Sequence, residues 1–157
     1  MEPTANESDH MSQRSQASAA SNIASVIEGK DPSALALVEG EIRLTYGELA
    51  DRVSKLRARL SGSGLGPGGR VMLIGENEID FVVGALASLG VGASVCPARS
   101  RNPLPELQRK FVSIEPTLTL LCATADWLLA HLEELDSPEV YRVGGSGLEG
   151  SADRLPE

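Results

Sequence analysis

At 157 residues the chain has room for one domain with a buried core, and 41% hydrophobic and 23% charged residues are the proportions of an ordinary globular protein. A formal net charge of -8 with no basic cluster argues against nucleic acid or an anionic membrane as a partner, and 3% aromatic residues leave little for a stacking or carbohydrate-binding surface. Both cysteines, Cys96 and Cys122, lie in apolar runs with no second Cys or His at metal-ligand spacing, which favours buried free thiols over a disulfide and fits a reducing compartment.

Residues 1–21 are rich in Ser, Ala, Asn, Gln and Glu and nearly devoid of large apolar side chains, so they cannot offset their ordering entropy and are predicted to form a flexible leader. Without an apolar core they are neither a secretory signal nor a typical transit peptide, and the cytoplasm is the default location. From Asn22 to Gly29 the apolar residues Ile23, Val26 and Ile27 share one helical face, predicting a short amphipathic helix stopped by Gly29. Ala34 to Val38 and Glu41 to Leu44 flank Gly40 as a small hairpin would. Thr45 and Glu48 then stand at the spacing of a capping box, with Leu44 and Leu49 at the positions of a hydrophobic staple. Tyr46, Leu49, Val53, Leu56 and Leu60 recur at helical steps, and Gly62, Gly64 and Gly66 end the helix.

Val71 to Ile74 has no polar alternation, the mark of a parallel strand covered on both faces. The run from Phe81 to Ala98 is uncharged and just long enough to reach the lower range for a membrane span, but Gly84, Gly90, Gly92 and Pro97 interrupt it. It reads instead as a buried helix over Phe81 to Leu89, capped by Asn77, a glycine turn, and a strand over Ala93 to Pro97. A helix from Pro105 to Ile114, a strand from Thr117 to Ala123, a helix from Ala125 to Leu135 and a strand from Val140 to Val143 follow. Strands alternating with helices imply a doubly wound, mostly parallel α/β sheet over residues 22–143, with a Gly, Ser and charged tail over 144–157 that is predicted to be disordered.

Each motif that suggests chemistry has a plainer reading. The series Gly62 to Gly69 follows a helix and leads into a strand, the reverse of a dinucleotide fingerprint, and Pro67 removes one amide, so it is a helix stop and turn. Gly144 to Gly147 follows a strand but lacks the rest of a phosphate loop and reads as a linker. His10 falls in the leader and His131 beside Glu133 and Glu134 on a solvated helix face, where nothing orients it for a catalytic triad. Glu76, Glu78 and Asp80 stand at a helix N-terminus, which the helix dipole explains without catalysis, and Trp127 among leucines is a packing residue.

Taken in order, Ala36-Leu37-Val38, Leu44-Thr45-Tyr46-Gly47-Glu48-Leu49, Gly64-Leu65-Gly66-Pro67-Gly68, Arg70-Val71, Asn77, Phe81 to Leu86 and Gly92-Ala93 resemble the N-terminal pattern of the adenylate-forming ligases, the AMP-binding superfamily of acyl-CoA synthetases and peptide-synthetase adenylation domains. Gly69 departs from it, since family members commonly carry Asp there. The resemblance implies the N-terminal portion of a ligase large domain. In the family, catalysis rests on a Ser/Thr/Gly-rich loop ending in Pro-Lys for the ATP phosphates, an aromatic-x-x-Thr-Glu motif for nucleotide and magnesium, a Thr-Gly-Asp motif at the ribose and a lysine in a mobile C-terminal domain. None of these occurs before Glu157, so no catalytic, cofactor-binding or metal-binding residue is assigned.

Full-length relatives use ATP, Mg and CoA to make an acyl-adenylate and then a thioester; the chain alone is expected to hold no cofactor and to be inactive. It is expected to expose an association-prone face where the missing ligase subdomains dock. The alternative is a stand-alone α/β interaction module that binds a ligase or carrier partner through that face. A Rossmann-type nucleotide binder is disfavoured by the reversed order of the glycine series.

Overall fold

Val71, Met72, Leu73 and Ile74 are all apolar, so the strand they build needs cover on both faces, and all four side chains are fully buried. The computed structural model describes residues 22–137 and 139–144, with the backbone of Asp153 and Arg154; the predicted leader and most of the predicted tail lie outside the described residues. A 3-10 helix, Ile23–Ile27, leads into β1 (Leu35–Glu39) and β2 (Ile42–Thr45), followed by α1 (Tyr46–Gly62), β3 (Arg70–Gly75), α2 (Ile79–Gly90) and β4 (Ser94–Arg99). Then come α3 (Leu104–Ile114), β5 (Leu118–Leu121), a second 3-10 helix (Ala123–His131), α4 (Leu132–Leu135), β6 (Val140–Arg142) and β7 (Asp153–Arg154).

β1 and β2 form the predicted hairpin, and the other five strands make one sheet in the order β4-β3-β5-β6-β7. β4, β3, β5 and β6 are parallel, while β7 pairs antiparallel with β6. The order explains the layering. The step from β3 to β4 goes one way and the steps to β5 and β6 go the other, so right-handed crossovers place α2 on one face and α3 on the opposite one. Alternation along β3 follows suit. Val71 and Leu73 pack with Leu56, Leu60, Val83 and Leu86 of α1 and α2, whereas Met72 and Ile74 pack with Leu107, Phe111 and Leu128. Pro97, which cannot donate to a ladder, lies on β4, the edge strand.

Helix α1 begins as its sequence dictates. The Thr45 hydroxyl accepts from the Glu48 N–H at 3.3 Å, and the Glu48 carboxylate accepts from the Thr45 N–H at 2.8 Å. That second bond, the largest cause, holds the Glu48 carboxyl below its usual range. Leu49, Val53, Leu56 and Leu60 are buried along the expected stripe, and Leu44 and Leu49 enter the same core cluster.

Three expectations are corrected. Residues 23–27 wind as a 3-10 helix, the usual form of so short an isolated turn, with Ile23 and Val26 exposed and only Ile27 against the core. The segment predicted as a helix from Ala125 to Leu135 is a 3-10 helix followed by one α turn. Its side chains are held from outside: Thr124 by Glu78, Asp126 by Arg142 and Trp127 by Ser100, fixing a tighter winding than local preference alone would choose.

Asn77 does not cap α2; Glu78 occupies the cap position with its side chain engaged elsewhere. The cap comes from the hairpin, where a Glu39 carboxylate oxygen accepts the Ile79 N–H at 2.6 Å. This bond ties β1 to the sheet layer across a sequence separation of 40 residues. Glu39→Ala is therefore expected to speed amide exchange at Ile79 by about tenfold, the equivalent of ~1.4 kcal/mol, while Met72 on β3 keeps the exchange rate of global unfolding. Equal acceleration at both amides would show instead that Glu39 acts on the whole fold.

Candidate functional site

The carboxyl ends of β3, β4 and β5 open on one side of the sheet, at the point where the strand order reverses, the usual ligand position in open α/β sheets. Here the residues following three strands are sewn together by two carboxylates. Glu78, which is buried, accepts from the Glu76 N–H at 3.1 Å and from the Thr124 hydroxyl. Glu76 accepts from the Ser100 hydroxyl at 2.9 Å, and the Ser100 N–H donates to the Gly75 carbonyl at 3.3 Å. Gly75 makes the crossing possible. A Cβ there would stand 2.8 Å from the Cys122 sulfur and 2.9 Å from Glu78 Oε1.

Above this floor lies a cleft of about 500 Å³ lined by Glu76, Ser100, Arg101, Asn102, Pro103, Thr124 and Trp127. A neighbouring hollow shares Glu76 and Asn102 and adds Arg99 and Lys110. The Ser100 hydroxyl, the Arg101 main-chain N–H and the guanidiniums of Arg99 and Arg101 all hold the Glu76 carboxyl below its usual range, the first most strongly. Glu76 is thus an ionised fixture of the floor at neutral pH.

Trp127 is not the buried packing residue that its leucine neighbours suggested. It is 42% exposed, donates its indole N–H to the Ser100 carbonyl at 2.9 Å, and forms a wall of the cleft. His131 meets Trp127 edge-on, with its Nδ1 2.7 Å from Glu134 Oε1, and stays on the half-exposed face predicted for it. The Cys122 thiol, driven up in pKa first by burial and then by Glu78, Asp80 and Glu39, is a poor nucleophile. No group of three His, Cys, Asp or Glu side chains converges as a metal site among the described residues, nor does a buried side-chain polar atom there lack a partner.

The glycine loops settle differently. In the first, the amides of Gly64, Leu65 and Gly69 donate to the carbonyls of Ser61, Leu60 and Gly66, so they serve the helix end and turn and do not point at a ligand. Of the second, Gly144 is described, at φ +77°, and a Cβ on it would lie 1.8 Å from Asp80 Oδ2; Gly145, Ser146 and Gly147 lie outside the described residues. Sequence reasoning missed Ser100, Arg101 and Thr124. Their signal was available in part, since each lies within four residues of the end of a predicted strand, where an α/β sheet gathers its polar groups.

A model of the family described as "AMP-binding enzyme" matches residues 26–151. The chain belongs to that family. It is 34% identical over 123 residues to the hybrid PKS-NRPS synthetase traA of Penicillium crustosum, covering 77% of this chain and 3% of that protein. It is 30% identical over 125 residues to tyrocidine synthase 3 of Brevibacillus parabrevis, covering 78% of this chain and 2% of that one. Among solved structures, apo MatB from Rhodopseudomonas palustris superposes with a TM-score of 0.65 at 24% identity, over 83% of this chain and 26% of MatB. That likeness shows the fold, and the chain spans only a small part of each of these three proteins. Among the described residues no helix is long and apolar enough to cross a membrane.

Asp80 supplies a pH test. Burial, the largest cause, pushes its carboxyl above the usual value, with Glu78 and Glu39 adding to the shift and Arg52 and Arg142 opposing it. A raised folded-state value means stability that is complete below the unfolded carboxylate range, near ~3.9, and is lost as pH rises through the folded value. Asp80→Asn should therefore match the wild type in urea unfolding below the unfolded value and gain on it as pH rises through the folded value. An Asn variant that falls behind as pH rises would mean that the α2 dipole outweighs burial.

Proposed function

We propose that this chain is the N-terminal part of an AMP-dependent acyl-activating ligase, which joins a carboxylate to ATP as an acyl-adenylate and passes the acyl group to a thiol. The family match over residues 26–151 carries the reading. It is supported by relatives whose names are those of a synthase and a hybrid PKS-NRPS synthetase. In the strand-end cleft the Ser100 and Thr124 hydroxyls donate to the Glu76 and Glu78 carboxylates of the floor, and the one described histidine, His131, pairs with Glu134 instead of with either hydroxyl. Transfer of an adenylyl group needs positioned cations and amide donors around the phosphates. In this proposal those come, with the sites for ATP, Mg and CoA, from ligase segments beyond the ones described, and the 157-residue chain does not catalyse the reaction alone.

A second reading, a stand-alone module that docks on a ligase or carrier protein, draws on the hairpin. Leu35, Val38 and Ile42 are each about half exposed there, apolar surface that a docked partner would cover.

Carboxylate-dependent ATP–pyrophosphate exchange separates the two. The native transcript is sequenced past the Glu157 codon, and both the chain and any longer in-frame product are assayed with a panel of carboxylic acids. Exchange confined to the longer product is the expected result. A transcript without a Pro-Lys phosphate loop would favour the docking module, and exchange by the 157-residue chain itself would overturn the assignment of catalysis to other segments.

A further inference from the structure

We propose that residues 1–21 dock as an acidic strap in the groove between α1 and the end of α2, where Glu2, Glu7 and Asp9 meet Arg57. The proposal is independent of acyl activation and concerns a surface remote from the strand-end cleft.

Ser54, Arg57, Ala58 and Ser61 stand at helical spacing on one exposed stripe of α1. Together with Gly66 and Pro67 of the following turn and Gly90 and Val91 at the end of α2, they line a groove of about 600 Å³. Its walls are mostly small side chains, which leave room for an extended main chain. Arg57 is held across one wall. A Cβ on Gly90 would stand 3.1 Å from its Cδ and 3.3 Å from its Nε.

A cation beside a helix C-terminus has a plainer use, which is to serve the last carbonyls. Those carbonyls are already served here. Ala87, Ser88 and Leu89 accept from the N–H groups of Val91, Ala93 and Gly92, and Leu89 accepts from Asn22 as well. Arg57 forms no ion pair with another described residue, whereas its neighbour Lys55 pairs with Asp51 at 3.0 Å. The sequence around it is one-sided. No Asp or Glu occurs from Arg52 to Gly75, a run that holds Arg52, Lys55, Arg57, Arg59 and Arg70 in a chain of net charge -8. A positive groove on an acidic protein calls for a carboxylate-bearing occupant.

The position of Asn22 says which one. Its side-chain amide donates to the Leu89 carbonyl at 2.7 Å, one residue from the Gly90 wall, so the leader joins the described fold at the edge of the groove. Three carboxylates, Glu2, Glu7 and Asp9, precede it against one arginine, Arg14. A flexible segment from Asp9 to Asn22 spans about 20 Å, while the stripe from Ser54 to Ser61 rises only about 10 Å. The acidic C-terminal segment is placed less well. It leaves from Gly144, which lies against Asp80 in the first turn of α2, about 15 Å along that helix from the groove. Exposed ion pairs are individually weak and sensitive to salt, and the tether compensates by raising the local concentration of the leader.

Paramagnetic relaxation in the isotope-labelled 157-residue chain tests this. A nitroxide is attached through Ser8→Cys in a Cys96→Ser chain, the buried Cys122 being out of its reach. The amides of Ala58, Ser61, Gly90 and Val91 should relax faster than those of Leu107 and Phe111 on α3. Arg57→Gln should weaken the effect by roughly two- to fivefold, and about 0.5 M salt should nearly abolish it. Arg109→Gln, at an exposed position of α3, should leave it unchanged. Without any label, Glu2→Gln/Glu7→Gln/Asp9→Asn should move the same groove amides toward their high-salt positions. Equal relaxation at the groove and α3, or relaxation indifferent to Arg57→Gln, would overturn the proposal. Relaxation passing from nitroxide-bearing chains to separate isotope-labelled ones would assign the groove to a second copy's leader. Groove amides that respond to Glu149→Gln/Asp153→Asn/Glu157→Gln instead of the leader variant would assign it to the C-terminal segment; either result removes the inference.

Discussion

The structure depends on β3 being apolar on both faces. A strand without a polar side has no place at a surface, so Val71, Met72, Leu73 and Ile74 compel a layer of helices above and below it. Parallel neighbours on both sides follow, β4 on one and β5 on the other, and with them the long crossovers that α2 and α3 supply. Because every parallel strand ends on the same side, their polar sequels gather there, and their place just after a strand is the sequence signal they carry. The cleft is therefore a product of topology first and of side chains second.

What then distinguishes this cleft is how little of it is left loose. Glu76 and Glu78 take donors from segments that follow three different strands, so the loops behave as one plate. Acidic residues at such a position would ordinarily repel one another. Here serine, threonine and main-chain donors absorb that cost, as expected where buried polar groups are satisfied. Arg99 and Arg101 are only loosely engaged by comparison, and the contrast between fixed floor and open rim gives the site its chemical character.

The elements legible in the sequence were those whose cause is local. The capping box at Thr45, the stripe of α1 and the double-faced run of β3 each follow from residues a few positions apart. Asn77 misled because capping was sought within the neighbouring residues, while the acceptor that reached Ile79 was Glu39. The second 3-10 helix misled for a similar reason, since Glu78, Ser100 and Arg142 set its winding from elsewhere. Trp127 carried the same ambiguity. An aromatic among leucines reads as core until the partner of its N–H is known. The family resemblance, resting on the order of many weak motifs, was legible throughout and the family match bears it out.

The long-range cap on α2 also sets an order of events during synthesis. A chain leaving the ribosome makes Glu39 well before Ile79, so the hairpin can be complete and waiting when the first turn of α2 emerges. The apolar strand β3 has no such advantage. β3 emerges ahead of both of its partners, and its apolar run stays unpaired until β4 and then β5 have been translated. Through that interval the growing polypeptide offers a sticky segment to other nascent chains, and the pace of translation between Gly75 and Leu118 governs how long the exposure lasts.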